Sequence, residues 1–103
     1  MELLPEDLRG RLPPLGSQQE ELDPIVQIKF YLPGTVWEWY VIEGSPDGSD
    51  FRFFGYVRGR TSEWSYFSLS ELEQARGPAG QRIERAMQFE PGPFHDLVPP
   101  PEE

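Results

Sequence analysis

The stretch that decides the fold reads Thr35-Val36-Trp37-Glu38-Trp39-Tyr40-Val41-Ile42-Glu43, then Gly44 to Ser49, then Asp50-Phe51-Arg52-Phe53-Phe54-Gly55-Tyr56-Val57. The two flanking segments are aromatic and β-branched, types that fit a pleated, half-buried surface. The connection between them is dense in turn formers. Two strands joined by a turn-rich loop follow. Side chains alternate across a strand, so Trp37, Trp39 and Val41 share one face and Glu38, Tyr40 and Ile42 the other. In the second strand Phe51, Phe53, Gly55 and Val57 oppose Arg52, Phe54 and Tyr56. Both strands are apolar on both faces. One face covers the core, and the second needs a cover of its own: a helix, a terminal arm or a partner.

Upstream, Pro5 to Leu12 reads as a short helix. Pro5 suits a first turn, and Leu4, Leu8 and Leu12 form one apolar stripe. Pro13 and Pro14 stop it. Gly16 to Asp23 is a polar loop. Ile25 to Leu32 is a strand with Val26, Ile28, Phe30 and Leu32 facing one way. Pro33-Gly34 is a tight turn, so this strand forms a hairpin with the next. Gly55 marks a bulge or close packing under a ring such as Trp37 or Trp39, and a bulge there would swap the faces downstream.

Downstream, Glu63 to Phe67 reads as a fourth strand. The connections are too short for parallel crossovers, so the strands form an antiparallel meander. Ser68-Leu69-Ser70-Glu71 matches a capping box, which starts a helix over Leu69 to Arg76, with Gly77 as its C′ residue and Pro78 as its stop. Gln81 to Phe89 alternates as a strand does, although its composition also suits a helix. Its short length between Gly80 and Pro91 favours a strand. Pro93 to Leu97 forms one turn, with Phe94 and Leu97 touching the core. The expected whole is one α+β domain over residues 1–97: a twisted antiparallel sheet of four or five strands, an N-terminal helix and a short helix after strand four. Residues 98–103, rich in proline and acid, read as a disordered tail.

Composition narrows the function. The chain has 103 residues and no cysteine, which excludes disulfides, a cysteine nucleophile and Cys-type zinc sites. No apolar run approaches the roughly 20 residues of a membrane helix. The N-terminus is acidic and lacks a signal-peptide pattern, so a cytoplasmic protein is expected. Eighteen acids against nine bases give a charge of −9, which repels phosphate backbones. His95 is the only histidine and stands beside Asp96, with no nucleophile-elbow serine in the chain. Asp47-Gly48-Ser49-Asp50 lacks the rest of a calcium loop, and the spaced glycines Gly55 and Gly59 open no helix. No enzyme activity, cofactor or metal site is expected.

The N-terminal Leu-Leu-Pro-Glu-Asp-Leu is followed by Arg-Leu-Pro-Pro-Leu and by Asp-Pro-Ile-Val before the first strand. Then come Trp-Glu-Trp-Tyr-Val, Phe-Phe-Gly-Tyr-Val, Tyr-Phe-Ser-Leu-Ser-Glu-Leu-Glu and Arg-Gly-Pro-Ala-Gly-Gln-Arg-Ile-Glu-Arg. As a set, over roughly Leu3 to Phe89, these resemble a family of small bacterial domains of unknown function often carried on plasmids, phages and integrated mobile elements. The resemblance implies a mobile-element setting, such as counter-defence or plasmid maintenance. It implies no catalytic residue or cofactor.

The ring excess is the remaining signal. Trp, Tyr and Arg dominate interface hot spots. The expected function is a non-enzymatic interaction module with a protein partner, held by Tyr40, Arg52, Phe54, Tyr56 and Arg58. The alternative is a nucleic-acid-binding or small enzyme role centred on Arg52, Arg58 and Arg60, where arginine on an aromatic sheet face stacks on bases. Partner identity and oligomeric state are left open.

Overall fold

The computed structural model describes residues 1–98. In chain order the elements are α1 (Glu6–Arg9), β1 (Ile25–Val26), β2 (Ile28–Tyr31), β3 (Glu38–Asp47), β4 (Asp50–Arg58), β5 (Ser62–Ser68), α2 (Leu69–Gln74), β6 (Glu84–Arg85), β7 (Gly92–Pro93) and α3 (Phe94–Leu97). Five strands form one antiparallel sheet in the order β5-β4-β3-β2-β6, and β1 pairs separately with β7. The architecture is α+β, and the four-strand meander stands as read from the chain. No described helix is long and apolar enough to cross a membrane.

The two turns beside β3 follow local chemistry. Gly34 has φ 75°, and the Thr35 amide donates to the Leu32 carbonyl at 3.2 Å. Proline followed by a positive-φ glycine is the type II signature. At the other end β3 and β4 stay paired to Asp47 and Asp50, so the loop expected over Gly44 to Ser49 closes to Gly48 and Ser49. Gly48 takes φ 61° at the first turn position, where two-residue hairpins favour glycine.

The bulge lies at Ile42, not at Gly55. Val41 pairs with Gly55 and Glu43 with Phe54, which leaves Ile42 as the extra residue. Gly55 serves close approach instead, since a β-carbon there would stand 2.2 Å from the Tyr40 carbonyl oxygen. The glycine beneath a tryptophan is Gly59, where a β-carbon would meet the Trp37 ring at 2.4 Å. One unpaired residue reverses the pleat. Val41 packs into the first core cluster and Ile42 into a second, behind the sheet. The strand expected over Ile25 to Leu32 also breaks, at Gln27. As a result Val26 packs with Ile42 in the second cluster, while Ile28 and Phe30 join the first.

Phe53 is fully buried at the centre of the first cluster, its ring 5.9 Å from Phe30, 5.4 Å from Phe51 and 5.6 Å from Phe67. Leu4, Leu12 and Leu72 close over this side. The leucine stripe docks as its spacing implies, but the helix covers only Glu6–Arg9, because Gly10 caps it before Pro13. The α2 start is also partly as expected. The Ser68 hydroxyl accepts the Glu71 amide at 3.2 Å, but the Glu71 carboxylate accepts the Ser68 hydroxyl at 3.0 Å rather than returning to the backbone. Asp50 adds a second cap, accepting the Ser70 amide at 3.1 Å. The helix ends at Gln74 with Ala75 as its cap, and Gly77 instead gives its amide to Gln81 in the following turn. Of Gln81 to Phe89, only Glu84 and Arg85 enter the sheet. Val98, assigned to the tail, is buried in the second cluster. The rest of that tail, residues 99–103, lies outside the described residues.

Beyond the bulge β3 has lost β2 as a neighbour, and the polar loop takes its place. Gly44 donates to the Pro13 carbonyl at 2.9 Å, and the Leu15 amide donates to the Ser45 hydroxyl at 2.9 Å. The Gln18 amide group donates to the Ile42 carbonyl at 2.8 Å and accepts from the Ile25 amide at 2.8 Å. It thereby satisfies peptide groups at the bulge and the strand break. Glu43 is 1% exposed, and its carboxylate accepts the Gly16 amide at 2.9 Å and the Gln18 amide at 2.5 Å. A buried carboxylate is tolerated only with such donors. Glu43→Ala orphans both amides. We predict a loss of about 3 kcal/mol in urea unfolding, against less than about 0.5 kcal/mol for exposed Glu20→Ala.

Candidate functional site: the outer face of β4 and β5

Alternation along β4 places Arg52, Phe54, Tyr56 and Arg58 on the outer face, and β5 adds Trp64 and Tyr66 through the pairs Phe54–Tyr66 and Tyr56–Trp64. Their rings touch in sequence. The Arg52 guanidinium lies 4.8 Å from the Tyr66 ring centre, in cation–π range. Tyr66 is 4.8 Å from Phe54, and Phe54 stacks on Trp64 at 5.7 Å with 14° between planes. Trp64 meets Tyr56 at 5.4 Å, and Phe94 of α3 closes the row at 5.0 Å from Tyr56 and 4.8 Å from Trp64. Trp64 remains 39% and Tyr66 48% exposed. The row is a packed aromatic surface with water on one side.

The five residues singled out from the sequence do not form one site. Phe54 and Tyr56 belong to the row, and Arg52 caps one end. Tyr40 is a correction: it is 2% exposed, because Val26, Ile42 and the C-terminal segment cover the face behind β3. Its hydroxyl donates to Glu38 at 3.0 Å, and burial together with that acceptor pushes its ionisation well above the usual tyrosine range. Arg58 meets the same carboxylate at 2.9 Å, and Lys29 does so at 3.0 Å. Burial opposes the Glu38 charge, but donors from Lys29, Arg58 and Tyr40 outweigh it and hold the carboxyl below its ordinary value. Arg60 is exposed beyond the strand end. Arg52 and Arg58 are six residues apart on one strand, about 20 Å by strand rise. The three arginines therefore make no common patch.

Trp64 and Tyr66 were absent from the five, although the alternation of Ser62-Glu63-Trp64-Ser65-Tyr66 carries them. Which side of β5 would be left uncovered was not legible locally. Phe94 joins the row because β7 and β1 bring α3 across the sheet. The Phe94 amide donates to the Pro24 carbonyl at 2.9 Å. His95 fastens that clasp. Its Nδ1 contacts the Asp23 carboxylate, its amide donates to Asp23 at 2.9 Å, and its Nε2 lies 3.1 Å from Asp96. The turn at Phe94–Leu97 is thereby tied to a carboxylate 72 residues away in sequence. Among the described residues no three His, Asp or Glu side chains gather as a metal site.

The model of one family, described as protein of unknown function (DUF2958), matches residues 3–94. The chain belongs to the DUF2958 family. No curated protein and no solved structure matches it. In this DUF2958 chain the matched span ends at Phe94, the residue that completes the aromatic row.

The clasp titrates. The hydrogen bond and charge of Asp23, with Asp96, raise His95 above 6.5, and the hydrogen bonds from His95 lower Asp23 below 3.8. A raised histidine contributes stability that is complete below its unfolded value and lost as pH rises through its folded value. A lowered aspartate contributes above its unfolded value and loses that contribution as pH falls through its folded value. The clasp is therefore firmest from above about 4 to about 6.5. We predict that the wild-type thermal midpoint falls between pH 6 and pH 8.5 more than that of His95→Gln. By NMR titration, Asp23→Asn should return the His95 pKa toward its ordinary value.

Proposed function

We propose that this chain is a non-enzymatic protein-interaction module, an accessory protein of a bacterial mobile element serving counter-defence or plasmid maintenance, working in the cytoplasm. The outer face of β4 and β5 receives its protein partner. The observation that carries the interaction reading is the packed row Arg52–Tyr66–Phe54–Trp64–Tyr56–Phe94, which holds two half-exposed rings rigidly on a sheet. Rings already fixed by their neighbours lose little side-chain freedom on binding, and Trp, Tyr and Arg are the residues that carry interface energy. The mobile-element setting rests on the motif resemblance, not on this geometry.

A second reading has one observation in its favour. Arg52 on Tyr66 beside stacked Phe54 and Trp64 is a platform on which single-stranded bases could stack. The −9 charge and the pairing of Arg58 with Glu38 weigh against it.

Affinity capture with tagged full-length chain from the native host separates the two. A protein retained by wild type should fall by roughly thirtyfold in affinity with Trp64→Ala plus Tyr66→Ala, the loss of about 2 kcal/mol typical of a hot spot. Far-UV spectra and thermal midpoint should be nearly unchanged. Capture that nuclease abolishes favours the second reading. Undiminished capture by the double variant removes this face from consideration.

A further inference from the structure

We infer that β5 pairs with β5 of a second copy of this chain, antiparallel about a two-fold axis at Ser65, joining two sheets into one of ten strands. This goes beyond the partner-binding face, because it concerns the strand's edge rather than its rings.

The two edges of the sheet are built differently. At one end β6 is two residues long and contains Arg85. At the other, β5 runs seven residues, Ser-Glu-Trp-Ser-Tyr-Phe-Ser, without lysine, proline or bulge. Among the described residues nothing pairs with its outer side. Long, regular edges without lysine, proline or a bulge are what monomeric sheets avoid, and Glu63 is the one charge on this one. The peptide directions suit addition of a strand. Val41 turns its carbonyl to the Gln27 amide at 2.8 Å, away from its partner Gly55. Gly55 therefore turns its own groups to Ser65, and by alternation Trp64 and Tyr66 direct theirs outward. The Tyr66 carbonyl now accepts the Ser65 hydroxyl at 3.1 Å, a side chain occupying the place of a strand donor.

The occupant is argued from self-complementarity. With Ser65 on the axis, Trp64 faces Tyr66 of the other copy, twice, an aromatic cross-strand pair of the favourable kind. Glu63 faces Phe67, so the two Glu63 carboxylates stay apart. Continued past the strand ends, the same register would set Arg60, in the bend before β5, toward Ser70 and exposed Glu71 in the first turn of α2, again twice. Like charges are separated and opposite charges meet, as an isologous interface requires. A single strand pair with four rings is a small interface, so the dimer is weak.

Sedimentation equilibrium on the full chain should show reversible dimerisation at concentrations up to roughly 1 mM. The chain has no cysteine, so a single introduced thiol reports position cleanly. Ser65→Cys on the axis lies at disulfide distance from its mate and should oxidise to a covalent dimer. Ser62→Cys, about 20 Å from its mate by strand rise, should not. A wild-type chain that stays monomeric overturns the inference, as does cross-linking no faster at Ser65→Cys than at Ser62→Cys. Should Ser65→Cys fail to fold, a charge exchange decides in its place. Arg60→Glu and Glu71→Arg each weaken the dimer roughly tenfold and together restore it, and no recovery in the double variant rules out this register. Both sets leave the outer rings in place, so failure here leaves the partner-binding reading standing.

Discussion

At Ile42, β3 carries one residue that β4 does not match, and the pleat turns over there. On one side of that point odd-numbered residues feed the first core. On the other side Gly44, an even-numbered residue, faces Phe53 and Phe51 in that core, while Glu43 is turned toward the opposite face. A sheet with apolar groups on both faces needs two covers, and the bulge determines where each begins. The break at Gln27 lies alongside it, so β1 leaves the main sheet and pairs with β7. That pairing brings the C-terminal turn onto the rear of β3. Tyr40 and Ile42 reach the rear face by alternation alone, and the β1–β7 pairing adds their cover and the placement of Phe94 beside Tyr56.

The bulge also creates a cost, met by the loop before β1. Peptide groups freed from a ladder must find partners or water. Here they find Gln18, Ser45 and the Pro13 carbonyl, and the Glu43 carboxylate anchors the loop by accepting two of its amides. A segment with no regular secondary structure therefore stands in for a neighbouring strand along the far half of β3, and none of the described buried side-chain polar atoms lacks a partner. Where the net stability of a chain this size is roughly 5–15 kcal/mol, such contacts are a large share of what holds the sheet together.

The two covers differ in completeness. The first is closed by leucines from the N-terminal segment and by Leu72 of α2. The second ends at Phe94, and past it Trp64 and Tyr66 have no further layer. The surface so exposed is rigid, aromatic and bordered by an arginine on a protein that is otherwise acidic. Membership of the DUF2958 family assigns no chemistry to that surface.

Much of the fold was legible in order along the chain. Strand alternation, the Pro33-Gly34 turn, the Ser68 cap and the docking of Leu4, Leu8 and Leu12 depend on neighbours a few residues away, and each is found. The sequence also showed that both faces of β3 and β4 are apolar, because that needs only parity. It could not show which face of Tyr40 would meet water, that Glu43 would be buried, or that His95 would meet Asp23. Nor could it show that Trp64 and Tyr66, rather than Tyr40, would be left outside. Those outcomes depend on which distant segment is available to cover a surface and on where the pleat reverses. A bulge has no side-chain signature at Ile42, since it is set by the competition of two long-range pairings for the same strand, and that competition exists only once the chain has closed on itself.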